Sequence, residues 1–136
     1  MLREGAPAPV LVVDDDPSIV ELVRTRLELA GIPTLWAYRG ADALEHMRTQ
    51  RIAAVLLDVG MPGLNGFEVL SWMKRDPRSA RIPVLMLTGC NGSEDVARAL
   101  ALGAKDYLTK PFSEAQLLAR VQRLQRWTQR SRLEAE

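Results

Sequence analysis

The chain has 136 residues, 47% of them apolar, and a formal charge of +1 from 18 basic and 17 acidic side chains. That length predicts one domain, that apolar share suffices for a core, and the near balance of charge excludes a surface that holds nucleic acid by charge alone. The longest apolar run, residues 52–57, is too short for a membrane span, no basic start leads into a secretory-type apolar stretch, and the single cysteine, Cys90, excludes an intramolecular disulfide or a cysteine-rich zinc site. A cytoplasmic protein with no membrane and no direct nucleic-acid partner is expected.

In chain order, Val10, Leu11, Val12 and Val13 form an apolar run without alternation, which reads as a strand buried on both faces. A first helix follows. Asp16 is its N-cap, Pro17 its first residue, Ile19, Leu22, Val23 and Leu27 its apolar stripe, and Gly31 its stop. Residues 34–37 make a weaker strand. Ala43, Leu44 and Met47 mark a short second helix, and residues 53–57 a second buried strand-type run. Gly66, Val69, Leu70 and Met73 give the third helix, and residues 84–87 the next buried strand. Ser93, with Glu94 and Asp95 behind it, opens a fourth helix carrying Val96, Ala99 and Leu100. Residues 106–109 are a second weak strand. Ser113 and Gln116 form a capping-box pattern before a fifth helix with Leu117, Leu118, Val121 and Leu124, and its pattern runs on to about Arg130.

Strand and helix alternate five times. Parallel strands need right-handed helical crossovers, so an α/β three-layer sandwich is predicted. The expected division is a tail over residues 1–8, a domain over 9–125, and an extension of the fifth helix over 126–136. In such a sheet the ligand site lies beyond the carboxyl ends of the strands. Those ends carry Asp14, Asp15 and Asp16, then Asp58, then Thr88 and Gly89, then Lys110 and Pro111. Crowded carboxylates repel unless a cation or proton intervenes, and oxygen donors without His or Cys suit a hard divalent ion such as Mg²⁺ or Mn²⁺. A phosphoryl group arriving there would share its charge among metal, Lys110, the Thr88 hydroxyl and backbone amides. The acidic turn after the first strand, with no glycine-rich loop, speaks against a dinucleotide or P-loop site. Singly, each residue has a plainer reading: Asp16 is only a helix cap, Asp58 is a turn residue before Pro62 and Gly63, and Thr88 is a strand-end cap. Their joint placement at four strand ends favours the site.

The stretches Val12-Val13-Asp14-Asp15-Asp16-Pro17, Leu57-Asp58-Val59-Gly60-Met61-Pro62-Gly63-Leu64-Asn65-Gly66, Leu87-Thr88-Gly89 and Ala104-Lys105-Asp106-Tyr107-Leu108-Thr109-Lys110-Pro111-Phe112 resemble the receiver domain of bacterial two-component response regulators. The resemblance implies a flavodoxin-like (βα)5 fold with strand order 2-1-3-4-5. It implies that Asp58 accepts a phosphoryl group from a histidine kinase or phosphotransfer protein. It also implies that Asp14, Asp15, Asp58 and the backbone carbonyl of Gly60 hold the metal. Lys110 is then paired with the phosphoryl group through a cis bond to Pro111, Thr88 and Gly89 lie against the phosphoryl oxygens, and Thr88 with Tyr107 forms the switch. Such a protein is a phosphoacceptor switch, catalysing only its own phosphorylation and dephosphorylation. It controls an output through the face built by the fourth helix, fifth strand and fifth helix, with a phosphorylation-dependent homodimer as one form of that output. Two other readings compete: the receiver of a larger DNA-binding transcription factor or signalling enzyme, and a receiver-like module that only binds partners. The complete set Asp14, Asp15, Asp58, Thr88 and Lys110 speaks against the last.

Several positions depart from the family pattern. Gly60 and Cys90 flank the approach to the phosphoryl group and offer nothing to position a hydrolytic water, so they are read as tuning the lifetime toward slow dephosphorylation. Asn65 stands where Asp is common and reads as a turn residue. Lys105, Val96 and Gln116 replace charged or acidic residues of the winged-helix branch, whereas Arg120 and Asp106 remain available for pairs across a dimer. His46 reads as a solvated helix residue, Trp36 and Trp72 as packing residues, and the arginines of the last helix as a solvated face.

Overall fold

The computed structural model describes residues 7–89 and 93–135. The elements are β1 (Val10–Val13), α1 (Pro17–Leu29), β2 (Thr34–Ala37), α2 (Gly40–Thr49), β3 (Ala54–Asp58), α3 (Gly66–Arg75), β4 (Val84–Thr88), α4 (Ser93–Ala101), β5 (Asp106–Thr109) and α5 (Glu114–Ala135). All strand pairs are parallel, in the order β2-β1-β3-β4-β5. The α/β sandwich and the strand order expected from the sequence are both present.

The continuous apolar runs have a direct structural reason. Every residue of β1, β3 and β4 is buried, because helices cover both sheet faces. Successive side chains alternate between faces. Leu11, Val13, Val55, Leu57 and Met86 meet Ala43, Met47, Val69, Leu70 and Met73 on one side. Val10, Val12, Leu56, Leu85 and Leu87 meet Val20, Val23, Leu27, Leu117, Val121 and Leu124 on the other. The edge strands β2 and β5 are only partly buried, which explains their weaker signal in the sequence.

Strand β3 begins one residue later than its apolar run and ends on Asp58, and β4 ends on Thr88. Asp58 is in register with Leu87, and Thr88 with Thr109. These polar residues therefore sit inside the ladder rather than on the loops after it, which fixes their backbones.

The helix ends follow the capping chemistry. The Asp16 carboxylate accepts the Ser18 amide at 2.9 Å. Helix α1 closes with the Ile32 amide on the Leu27 carbonyl and the Gly31 amide on the Glu28 carbonyl. Gly31, at φ 83°, takes the left-handed conformation that this closure needs. Ser113 and Gln116 exchange their capping-box bonds at 3.1 and 2.9 Å. Asn65 does more than turn the chain: with Glu68 it forms a second reciprocal capping box that opens α3.

Helix α5 runs to Ala135, a little beyond the approximate Arg130 limit of its sequence pattern. Thr128 donates its hydroxyl to the Ala53 carbonyl at 2.9 Å, and the Lys105 ammonium lies 4.2 Å from the centre of the Trp127 ring, so the chain's own sheet edge anchors the turn after Leu124. Trp36 and Trp72 are not packed inside. They are 40% and 52% exposed, and Arg24 and Arg75 lie over their rings at 3.6 and 5.4 Å. His46 is half-buried, with Nδ1 3.0 Å from the Gln50 amide nitrogen.

Candidate functional site

The parallel topology carries the C-terminal ends of β1, β3, β4 and β5 to one edge of the sheet. Asp14 follows β1 and is 1% exposed. Asp58 ends β3 at 7%, and Thr88 ends β4 at 2%. Asp15 is exposed beside them. Oxygens of Asp14, Asp15 and Asp58 all lie within 4.8 Å of one another.

Lys110, directly after β5, reaches into this group. Its Nζ donates to Asp14 Oδ2 at 2.8 Å and to Asp58 Oδ1 at 3.1 Å. The sequence pointed to Lys110 as a partner for a phosphoryl group. The side chain bridges two carboxylates, and its closer partner is Asp14. The Lys110 amide donates to the Thr88 carbonyl at 2.7 Å, tying the start of this loop to β4, and the Lys110–Pro111 bond is cis.

Three carboxylates around one ammonium leave an excess of negative charge. Burial and the nearby Asp14 push the Asp58 carboxyl above its usual range, against the opposing pull of Lys110 and of the Gly60 amide. Burial disfavours the Lys110 ammonium, yet the hydrogen bond to Asp14 and the charges of Asp58 and Asp14 outweigh it and hold its pKa above the usual lysine value. A divalent cation would relieve the same repulsion. The donors are all oxygens and one of the three carboxylates is open to solvent, so the residues fit a hard, partly hydrated ion.

Space around Asp58 is set by glycines. A Cβ on Gly66 would lie 2.3 Å from the Asp58 carbonyl oxygen, so only glycine lets the start of α3 press against the end of β3. The Gly66 amide in turn donates to the Val59 carbonyl at 3.0 Å. In the sequence Gly66 reads as a helix start and as the last residue of the motif around Asp58. Its spacing from Asp58 within the motif was the available signal, but close backbone approach leaves no mark on hydropathy. A Cβ on Gly60 or Gly89 would meet nothing within 4 Å, so the approach beside the acceptor is open at both positions. Cys90 lies outside the described residues.

Tyr107 is half-buried in β5, beside Met86 in the ladder, and packs against the core under α2, α3 and α4. Arg120 and Arg123 are not left free for pairs across a dimer. Both bind Asp106 of their own chain, at 3.0 and 3.4 Å, and Arg120 also donates to the Tyr107 carbonyl at 2.5 Å.

Comparisons with known proteins agree with this architecture. The sequence model of the response regulator receiver domain matches residues 10–122. The chain is 40% identical over 127 residues to the DNA-binding dual master transcriptional regulator RpaA of Synechocystis sp., covering 89% of this chain and 50% of that one. It is 40% identical over 120 residues to the transcriptional regulatory protein GltR of Pseudomonas aeruginosa, covering 88% and 50%. The chain thus spans about half the length of these curated relatives. Among solved structures, the chemotaxis protein CheY4 of Vibrio cholerae superposes with a TM-score of 0.83 at 35% identity, covering 88% of this chain and 99% of that one. The receiver domain of the Francisella response regulator 1452 does so with a TM-score of 0.83 at 34%, covering 90% and 99%. With the family model matching residues 10–122 and relatives at 40% identity, the chain belongs to the response regulator receiver domain family.

Proposed function

We propose that Asp58 is the phosphoacceptor of a two-component switch, supplied by a phosphohistidine on a kinase or phosphotransfer protein. The observation that carries this reading is the gathering of Asp14, Asp15 and Asp58 within 4.8 Å, with Lys110 spanning Asp14 and Asp58. In the reaction an Asp58 carboxylate oxygen attacks phosphorus in line. The O–P bond forms, the P–N bond to the donor imidazole breaks, and its electron pair leaves on the ring nitrogen. Asp14, Asp15, Asp58 and the Gly60 carbonyl would hold Mg²⁺, which when bound would supply charge neutralisation for the phosphoryl oxygens. Lys110 moves from bridging two carboxylates to pairing with a phosphoryl oxygen. The Thr88 hydroxyl and the Gly89 amide take the remaining oxygens.

The switch then runs through Thr88 to Tyr107 and the α4-β5-α5 face, where a phosphorylated chain meets its output or a second copy of itself. Such a dimer must first release Asp106 from Arg120 and Arg123. Open space at Gly60, and Cys90 in place of an amide or acid, give a slowly hydrolysed acyl phosphate. We assign residues 9–125 to the receiver and 126–136 to an extension of the fifth helix. A specific observation favours a second, compatible reading: relatives named as DNA-binding or transcriptional regulators are about twice as long. The chain would then be the receiver of a larger regulator.

Intact-protein mass spectrometry after incubation with acetyl phosphate and Mg²⁺ tests the acceptor. One phosphoryl group, labile to hydroxylamine, is expected on the wild type and none on Asp58→Asn. Phosphorylation of Asp58→Asn at the wild-type rate would assign the acceptor elsewhere.

A further inference from the structure

We propose that the end of the sheet opposite the acidic edge is a docking surface for the phosphodiester backbone of a nucleic acid, held by Arg51, Lys74, Arg81, Lys105 and Arg126. All of these side chains are exposed, and none makes an ion pair among the described residues. The acids beside them are already taken, Asp76 by Arg78 and Asp106 by Arg120 and Arg123.

The fold gathers these cations around one turn of α5. The Lys105 amide donates to the Val84 carbonyl at 2.9 Å, which sets Lys105 beside the loop that carries Arg81. The Lys74 ammonium donates to the Ala80 carbonyl at 3.1 Å, next to Arg81. Its stem lies against Gly103, where a Cβ would come within 2.6 Å of Lys74 Cε, two residues from Lys105. Lys105 in turn lies over the Trp127 ring, next to Arg126. The hydroxyl of Thr128 ties this turn to the Ala53 carbonyl, two residues after Arg51. Burial and the Lys105 charge hold the Lys74 ammonium below the usual lysine range, as crowded like charges should.

The near balance of charge, which spoke against a nucleic-acid surface, is an average over two poles. Strand β3 separates them by five residues, or roughly 15 Å, about twice the ~8 Å screening length at physiological ionic strength. The acidic edge therefore does not cancel the field at the basic end. A phosphodiester fits this end better than an acidic segment of protein. Protein interfaces draw their affinity from apolar anchors seated in pockets. Here the exposed side chains are cations, and the one aromatic ring among them, Trp127, is half-buried beneath Lys105. Attraction then comes from charge, through release of the counterions of a polyanion.

The test is fluorescence anisotropy of a short labelled DNA duplex of mixed sequence, titrated with the full chain in chelator. Between about 50 and 200 mM salt the affinity should fall about 40-fold, the effect of about three phosphate contacts. Lys105→Gln and Arg81→Gln should each lower the salt exponent by about 0.9, the loss of one contact. Arg39→Gln makes the same charge change directly before α2, at the other end of the sheet, and should leave the exponent as it is. No binding at the lower salt, an exponent unchanged in both Lys105→Gln and Arg81→Gln, or an equal loss in Arg39→Gln overturns the surface. A polyglutamate peptide should fail to displace the duplex at equal charge concentration. Displacement would make the ligand an acidic polypeptide and overturn the assignment to nucleic acid.

Discussion

Asp58 and Asp106 are both strand residues, at opposite ends of two parallel strands of one sheet, and their surroundings are opposite. Asp106 opens β5 with two arginines on its carboxylate, from the next helix. Asp58 closes β3 with two further carboxylates beside it and one lysine divided between it and Asp14. At one end of the sheet carboxylate charge is satisfied within the chain. At the other it is left in surplus, and only a ligand or a proton can balance it. The difference separates structure from function: arginines of α5 neutralise Asp106, whereas Lys110 is the one basic side chain paired with the acceptor carboxylates among the described residues.

The largest effect is expected where the acceptor's backbone is pressed hardest. Gly66→Ala sets a Cβ against the Asp58 carbonyl, backbone that cannot give way cheaply, so stability should fall by about 3 kcal/mol in urea denaturation. A loss below about 1 kcal/mol would mean α3 shifts freely and does not fix the acceptor.

Next comes the surplus itself. Asp58→Asn removes a buried charge held above its ordinary pKa, so without metal at neutral pH the variant should be more stable than the wild type. The midpoint should rise by a few degrees, the response of a domain this size to about 1 kcal/mol. A lower midpoint would contradict the imbalance.

The pH dependence carries the same sign. The folded pKa of Asp58 lies above 3.8, its unfolded value, so the folded state binds the extra proton in the window between them. Apoprotein stability from this group is present below pH 3.8 and is lost as pH rises through the folded value. Lys110 acts at the other extreme. Its pKa is raised above 10.5, so its contribution holds below that pH and is lost as pH climbs through the folded value. Urea midpoints in chelator should show the acid-side decline in the wild type and not in Asp58→Asn.

At the satisfied end the effects shrink. Arg120→Gln loses an ion pair and the bond to the Tyr107 carbonyl, for about 1 kcal/mol. Thr128→Val loses the bond to Ala53 for a similar amount, and fraying of α5 should appear as faster amide exchange after Leu124. Arg123→Gln, at an exposed pair, should change the midpoint by less than about 0.5 kcal/mol.

Much of the sheet was legible because burial on both faces writes continuous apolar runs, as in Val10–Val13 and residues 84–87. The acceptor edge was legible because parallel strands bring their C-terminal ends together, so Asp14, Asp58, Thr88 and Lys110 could be gathered without coordinates. What escaped the reading depends on single long-range contacts. Thr128 bonds a carbonyl 75 residues earlier, which no periodicity records. Arg120 could be matched with Asp106 by charge, but sequence does not tell a pair within the chain from one between chains. Trp36 and Trp72 read as packing residues. Arginine guanidinium groups lie over their rings at the surface, and hydropathy does not register that arrangement.

The charge surplus is tested by one paired experiment: thermal melts of wild type and Asp58→Asn at neutral pH, each with chelator and with millimolar Mg²⁺. A ligand that binds only the folded state raises stability by about 2.7 kcal/mol at 100 times its dissociation constant. The wild type should gain a clear upward shift with Mg²⁺, and Asp58→Asn, already relieved of its charge, should gain less than half of it. Equal shifts in the two proteins, or none in the wild type, would contradict the reading of Asp58 as the centre of a cation-dependent acceptor site.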